Sequence, residues 1–180
     1  MPETVSYATK EGNRYEMRDA TIADLSVVYA IWQAGMKQHG YTLEAARDAE
    51  YRSYLEGLIH RADQTFKFWV ALDEAREIAG WQALMPYSNN PFTREFSAEC
   101  STYVRPTKQA TGLAYILLSH AVTHARQTRL HHLLALVAED NKAISRIAEK
   151  MGGWELIGRI PPSPKPPERP GLNAFLSLLT

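Results

Sequence analysis

Val104-Arg105-Pro106-Thr107-Lys108-Gln109-Ala110-Thr111-Gly112-Leu113-Ala114 carries a strand end, a proline turn and a helix start in one short stretch. Pro106 lacks a backbone donor and stops the strand. Thr111 or Gly112 opens a helix that runs to about Arg126, with Leu113, Leu117 and Ala121 on a broad apolar face. The first turn of a helix presents unpaired N–H groups at the positive end of the helix dipole, which suits a pyrophosphate. Gly112 lets a ligand approach the backbone, and Ala114 keeps the turn slim. A helix-start glycine with no ligand reads the same way, so the stretch alone leaves both readings open. It is not a P-loop, since the Gly-Lys-Ser/Thr end is missing. It is not a dinucleotide fingerprint either, because its strand is fourth in order rather than first.

Working outward, Tyr15–Arg18 reads as a short strand leading to Thr21 or Asp24 as an N-cap. The helix that follows carries Ile22, Leu25, Val28, Tyr29 and Trp32 at helical spacing. Leu43 to His60 is a charged helix with a thinner apolar stripe. Phe66–Leu72 and Glu77–Met85 are strands joined by a turn at Asp73–Arg76, followed by an irregular loop over Pro86–Arg94. Glu95–Val104 is the fourth strand, and the apolar run His132–Ala138 is a fifth, covered on both sides. Asp140 or Asn141 caps a helix with Ile144, Ile147, Ala148 and Met151 on one stripe, ended by Gly152-Gly153. Trp154–Ile160 and Leu172–Leu179 are closing strands around Pro161–Pro170, where six of ten residues are proline. The order is β-α-α-β-β-β-α-β-α-β-β, an α/β domain with a mixed sheet.

The 180 residues form one domain, 1–180, with a flexible N-terminus over residues 1–14. Lys plus Arg and Asp plus Glu are both 20, so no net basic field exists to hold nucleic acid. Cys100 is the only cysteine, which excludes an internal disulfide and a multi-cysteine zinc site. No run approaches the roughly 18 apolar residues of a membrane span, and no secretory signal core is present. The expected setting is the cytoplasm, with neither membrane nor nucleic acid as partner. A homodimer is compatible with the sequence, but no interface can be read from it.

Gln109-x-x-Gly112-x-Ala114 resembles the Gln/Arg-x-x-Gly-x-Gly/Ala motif of the GCN5-related N-acetyltransferases, the GNAT superfamily. Asn141, with Arg146 and Glu149-Lys150-Met151-Gly152, is similar to that superfamily's later Asn…Arg-x-x-Glu-x-x-Gly stretch. The element order is also similar, and the resemblance covers about Tyr15 to Gly158. Ala98-Glu99-Cys100-Ser101-Thr102-Tyr103-Val104, followed by Pro106 and Gln109-Ala-Thr-Gly-Leu, is most similar to the phosphinothricin acetyltransferase-like subfamily. The resemblance implies that strands four and five splay apart around acetyl-CoA, with helices on both faces of the sheet. The backbone of Thr102, Tyr103 and Val104 would bind the pantetheine arm. Amides of Gln109, Ala110, Thr111, Gly112, Leu113 and Ala114 would take the pyrophosphate, and Asn141 would touch the pantetheine from the other side. Glu99 falls at the subfamily's general base. A carboxylate there suits the chemistry, because an ammonium must lose a proton before its nitrogen attacks a thioester.

Two departures stand out. Aligned through Arg146, Glu149 and Gly152, the position of the family's usual tyrosine or histidine acid holds Ala148. The tail also replaces a short hairpin with the Pro161–Pro170 segment, which would reshape the acceptor site. Without the resemblance, a glutamate in a strand reads as solvent-facing or ion-paired. Cys100 should point to the opposite face and lacks a partner that would activate it. His120 and His124 at i, i+4, with His131-His132 nearby, lack a third ligand, so no metal is expected. Trp81 and Tyr87 are candidates to line the acceptor site, with a core role as the alternative. Arg105, Lys108 and Arg146 either meet CoA phosphates or are solvated.

The expected function is acetyl transfer from acetyl-CoA to a primary amine of a small molecule, an amino acid or analogue such as phosphinothricin or methionine sulfoximine. Transfer would be direct, with Glu99 as base. The alternatives are an acyl-CoA-binding protein without activity, and transfer of a longer acyl group or to a polyamine, amino sugar or antibiotic.

Overall fold

The computed structural model describes residues 4–41, 43–109, 111–163 and 169–179. Its strands are β1 (Val5–Ala8), β2 (Arg14–Asp19), β3 (Phe68–Leu72), β4 (Ile78–Pro86), β5 (Ser97–Val104), β6 (His132–Ala138), β7 (Trp154–Ile160) and β8 (Leu172–Leu178). Its helices are α1 (Leu25–Gln38), α2 (Asp48–His60), α3 (Pro91–Arg94), α4 (Leu113–Ala125) and α5 (Lys142–Met151). The sheet has the order β1-β2-β3-β4-β5-β6-β8-β7, in which β5 and β6 are parallel and the other neighbours antiparallel.

Helices cover both faces. Phe68, Val70, Trp81 and Ala83 pack against Leu25, Val28, Tyr29 and Ile31 of α1 and Leu55 and Ile59 of α2. Trp69, Ala71, Leu84, Ala98 and Cys100 point the other way, against Leu113, Ile116, Leu117, Leu118 and Ala121 of α4. The alternation along β3 therefore divides its side chains between two cores. Leu117 is wholly buried, and burial of such a side chain stabilises the fold by about 1.5–3 kcal/mol. α5 closes a smaller cluster by setting Ala148 on Ala135, Val137 and Phe175.

The parallel pairing of β5 and β6 is short. Ser97, Ala98 and Glu99 face His132, Leu133 and Leu134. Beyond Glu99, β5 follows β4 as far as the Val104–Gly80 pair, while β6 follows β8 as far as the Ala138–Leu172 pair. The expected splay between the fourth and fifth strands of the sequence reading is therefore present, between β5 and β6.

Three expectations need correction. Residues 5–8 are not a loose terminus: β1 pairs with β2 from Val5–Met17 to Ala8–Arg14, and the Tyr7 hydroxyl lies 2.6 Å from His120 Nδ1. A four-residue strand gives almost no periodic signal; its long-range pairing decides it. The second helix starts at Asp48, after a 3-10 turn over Ala45–Arg47, rather than at Leu43. The loop after β4 contains α3, because Asn90 accepts the Phe92 amide and Pro91 occupies the first helical position. In the proline-rich segment Ser163 and Arg169 form an isolated bridge, and residues 164–168 lie outside the described residues. Among the described residues, no helix is long and apolar enough to cross a membrane.

Candidate active site

The divergence of β5 from β6 opens a cleft of about 600 Å³, walled by β5, α4, β6, α5 and the C-terminal end of α1. From Cys100 onward, one edge of β5 has no strand partner, so its backbone groups are free to bind an extended ligand as an added strand would. Thr102, Tyr103 and Val104 all line the cleft, as do Gln109, Gly112, Leu113, Ala114 and Asn141. The residues expected to bind acetyl-CoA are thus gathered in one place with two exceptions: Thr111 lies behind the lining, and Ala110 lies outside the described residues.

Gly112 is the N-cap of α4, with φ of +80° and no side-chain cap for the first-turn amides. Those donors lack an intrahelical partner by construction and face a ligand or water. A Cβ on Gly112 would lie 3.2 Å from Thr9 Cγ2. Thr111 holds the loop from behind: its hydroxyl donates to the Lys108 carbonyl at 2.7 Å and accepts from the Tyr15 hydroxyl at 2.9 Å. Lys108 lines the cleft but is ion-paired to the half-buried Asp73 at 2.8 Å, and Arg105 is paired to Glu77 at 3.0 Å. Both cations of the loop are therefore anchored to the β3–β4 turn, while Arg146 lines the cleft wall. The Asn141 side-chain carbonyl accepts the Ile144 amide at 3.3 Å and so caps α5.

Glu99 stands where β5 and β6 part. It is half-buried, and burial pushes its carboxyl above the usual carboxylate range. Among the described residues no hydrogen bond or ion pair holds it. Tyr54 of α2 donates its hydroxyl to Met85 Sδ at 3.2 Å, and Met85 pairs with Glu99 across β4 and β5, so α2 lies beside the carboxylate; burial, then the Glu99 charge, raises the Tyr54 phenol. Cys100 points into the α4 core, where burial pushes its thiol up to about 12, so no thiolate nucleophile is present.

Ala148 lines the cleft and is 4% exposed, so the α5 wall offers a methyl group at that point. Trp81 needs correction as an acceptor-site residue. It is 1% exposed, stacked between Phe68 and Tyr103 at 5.0 and 4.5 Å, and its indole N–H donates to the Val28 carbonyl. A buried indole needs an acceptor, and a carbonyl of α1 supplies it. Tyr87 is exposed beyond the end of β4 and lies outside the cleft lining. The histidines are structural neighbours: Trp69 stands edge-on to His120 and His124, and His131 stacks on Phe96. Among the described residues, no group of three or more His, Cys, Asp or Glu gathers as a metal would require.

The sequence reading missed Met36, His39 and Tyr41, which line the cleft from the end of α1. Gly35 lets α1 lie on the Tyr103 ring, since a Cβ there would come within 2.8 Å of it. Two side-chain contacts then bridge the mouth. Gln109 donates to Gln38 at 2.7 Å, and His39 Nδ1 lies 2.9 Å from Asp140 Oδ1. Only the packing of α1 across the splay brings these residues in, and no local pattern marks them.

No curated protein sequence matches the chain. Solved structures do, at low identity. A ribosomal-protein-alanine N-acetyltransferase from Brucella melitensis is 23% identical with a TM-score of 0.75, covering 91% of this chain and 99% of that one. A phosphinothricin acetyltransferase from Sinorhizobium meliloti, solved with acetyl-CoA, is 20% identical with a TM-score of 0.74, covering 91% and 87%. A GCN5-related N-acetyltransferase from Kribbella flavida is 18% identical with a TM-score of 0.75, covering 92% and 98%. These likenesses share the fold and differ in the acceptor named, so architecture does not decide the acceptor. Residues 14–153 match the acetyltransferase (GNAT) domain family, and the chain belongs to that family.

Proposed function

We propose that this chain transfers the acetyl group of acetyl-CoA to a primary amine of a small molecule, an amino acid or analogue, with Glu99 as general base. The observation that carries this reading is Glu99 itself: a half-buried carboxyl without a hydrogen-bond or ion-pair partner among the described residues, where the two strands part. Family membership and the uncapped first turn of α4 support acetyl-CoA as the donor. The pantetheine would run along the open edge of β5 at Thr102, Tyr103 and Val104. Its pyrophosphate would meet the amides from Gln109 to Ala114, with Asn141 opposite.

In the reaction the ammonium gives its proton to Glu99, directly or through a water. The nitrogen lone pair attacks the thioester carbonyl carbon, the carbon–sulfur bond breaks to release the CoA thiolate, and the second proton that the nitrogen sheds in becoming an amide goes to the thiolate, directly or through water. An amide on the open edge of β5 would stabilise the transient oxyanion. Burial raises the pKa of Glu99 and so makes it a stronger base. Attack is direct, since the cysteine of the site is a buried thiol. The single reduced cysteine fits a cytoplasmic setting.

Ala148 favours a second reading, in which the chain binds an acyl-CoA without transferring the acyl group. Purified protein with acetyl-CoA and a panel of amino acids, polyamines, amino sugars and aminoglycosides separates the two. Acceptor-dependent thiol release, abolished in Glu99→Gln, is the expected result. CoA binding by calorimetry without release for any amine would overturn it in favour of the binding protein, or of a longer acyl donor tested in parallel.

A further inference from the structure

A second cavity of about 600 Å³ lies between α2 and the ends of β3 and β4. Its floor is apolar, built from Leu58, Phe66, Phe68 and Met85. Four cations stand around it, and two of them are already paired: Lys67 with Asp19 at 2.7 Å, and Arg129 with Glu95 at 3.5 Å. Asp63, another acid of the lining, accepts the amides of Thr65 and Phe66 and so faces the backbone. Arg61 and Arg94 have no carboxylate partner among the described residues. Arg61 Nε donates to the Gly57 carbonyl at 2.9 Å, which fixes the guanidinium against α2.

This chamber adjoins the base. Met85, which lines it, pairs with Glu99 across β4 and β5, so both side chains stand on one face of the sheet. Tyr54 of α2 lies against Met85. It lines the chamber, donates its hydroxyl to Met85 Sδ at 3.2 Å, and feels the charges of both Glu99 and Arg61. A molecule whose amine is held at Glu99 and whose body lies over Met85 and Tyr54 would reach this space, which is large enough for a small molecule.

We infer that this chamber receives the far end of the acceptor, and that the acceptor carries an apolar stem ending in an anionic group. The inference rests on the reading of Glu99 as the site of the reacting amine. Two guanidinium groups over an apolar floor match a carboxylate, phosphonate or phosphate on a hydrocarbon body, because their forked donors bind such oxygens in pairs. The matching acceptor holds its amine and its anion at opposite ends. An ω-amino acid has that shape.

The test compares 6-aminohexanoate with hexylamine as acceptors, in wild type and in the Arg61→Gln/Arg94→Gln double variant. Wild type should prefer the carboxylate by about tenfold or more in kcat/KM, the scale of one charged hydrogen bond. The double variant should erase that preference. The readout is a ratio of two acceptors, which a general loss of activity does not move. Equal rates in wild type, or an unchanged ratio in the variant, overturn the inference. Saturation-transfer NMR with hexanoate, against hexanol as the uncharged control, reads the chamber without turnover. Arginine-dependent hexanoate binding with no transfer to any amine supports the chamber and removes the base reading, whereas no hexanoate binding overturns the chamber whatever the transfer assay gives.

Discussion

Glu99 faces Leu134 at the last rung shared by β5 and β6, and beyond that pair the two strands go to different partners. The carboxyl therefore sits where the backbone of β5 first becomes free, and an acyl group laid along that open edge would end beside it. Replacement by an isosteric amide removes the proton acceptor and keeps the shape. Glu99→Gln should lower kcat/KM for the acceptor by about 10²–10⁴-fold, the usual contribution of a general base. The Kd for acetyl-CoA, by calorimetry, should stay the same. A variant that keeps full activity would show that Glu99 is not the base.

The same burial has a consequence for stability. A carboxyl whose folded pKa is raised binds its proton more tightly in the native state than in the unfolded chain. Its contribution to stability is complete below the unfolded pKa of about 4.3 and is lost as pH rises through the raised folded value. Ionised Glu99 thus costs stability at neutral pH, and the rate contribution proposed for it runs the other way, rising with pH as the base form appears. Glu99→Gln should melt at a higher temperature than wild type at pH 7 to 8, with the gap closing towards pH 4. A lower melting temperature for the variant at pH 8 would contradict this assignment of the burial cost.

Much of this was legible in the sequence, and the reasons differ by element. α4 could be read because Gly112 and the apolar run after it are local signals, and α5 because Asn141 and Gly152-Gly153 punctuate both ends. The lining of the cleft by Thr102 to Val104 follows from one strand and its neighbour. Tyr54, Met36 and Tyr41 could not be found this way, because their place depends on how α1 and α2 cross the sheet. Trp81 was ambiguous for a related reason: an indole on a strand suits a pocket or a core, and only the carbonyl of Val28 decides it.

That decision is open to test. Trp81→Phe keeps most of the apolar volume but leaves the Val28 carbonyl without its indole donor. The expected cost is about 1–3 kcal/mol, seen as a lower denaturation midpoint. The KM for the acceptor should not change. A selective rise in acceptor KM at unchanged stability would return Trp81 to the pocket wall.

Cys100 offers a separate check on the sheet's inner face. Its thiol is buried against α4, accepts from Gln82 Nε2 at 3.1 Å, and is pushed up to about 12 by desolvation. Native protein should therefore react with a thiol reagent far more slowly than denatured protein, and Cys100→Ala should retain acetyl transfer. Rapid labelling of the native protein with parallel loss of activity would place the thiol in the reaction.

In the proposed reading Gly112 joins the fold to acetyl-CoA most directly, because its positive φ turns the chain into α4 and no side chain caps the first-turn amides. Alanine there meets two costs. The left-handed conformation disfavours any Cβ, by about 1 kcal/mol. The new methyl group would also sit 3.2 Å from Thr9 Cγ2, forcing the turn between β1 and β2 to give way. Relaxation of either kind shifts the amides that face the cleft. Gly112→Ala should therefore lower the melting temperature modestly and raise the Kd for acetyl-CoA, with a smaller effect on a truncated donor that lacks the pyrophosphate, such as acetyl-pantetheine. An equal loss for both donors would mean that the substitution acts through the fold alone and that the pyrophosphate binds elsewhere.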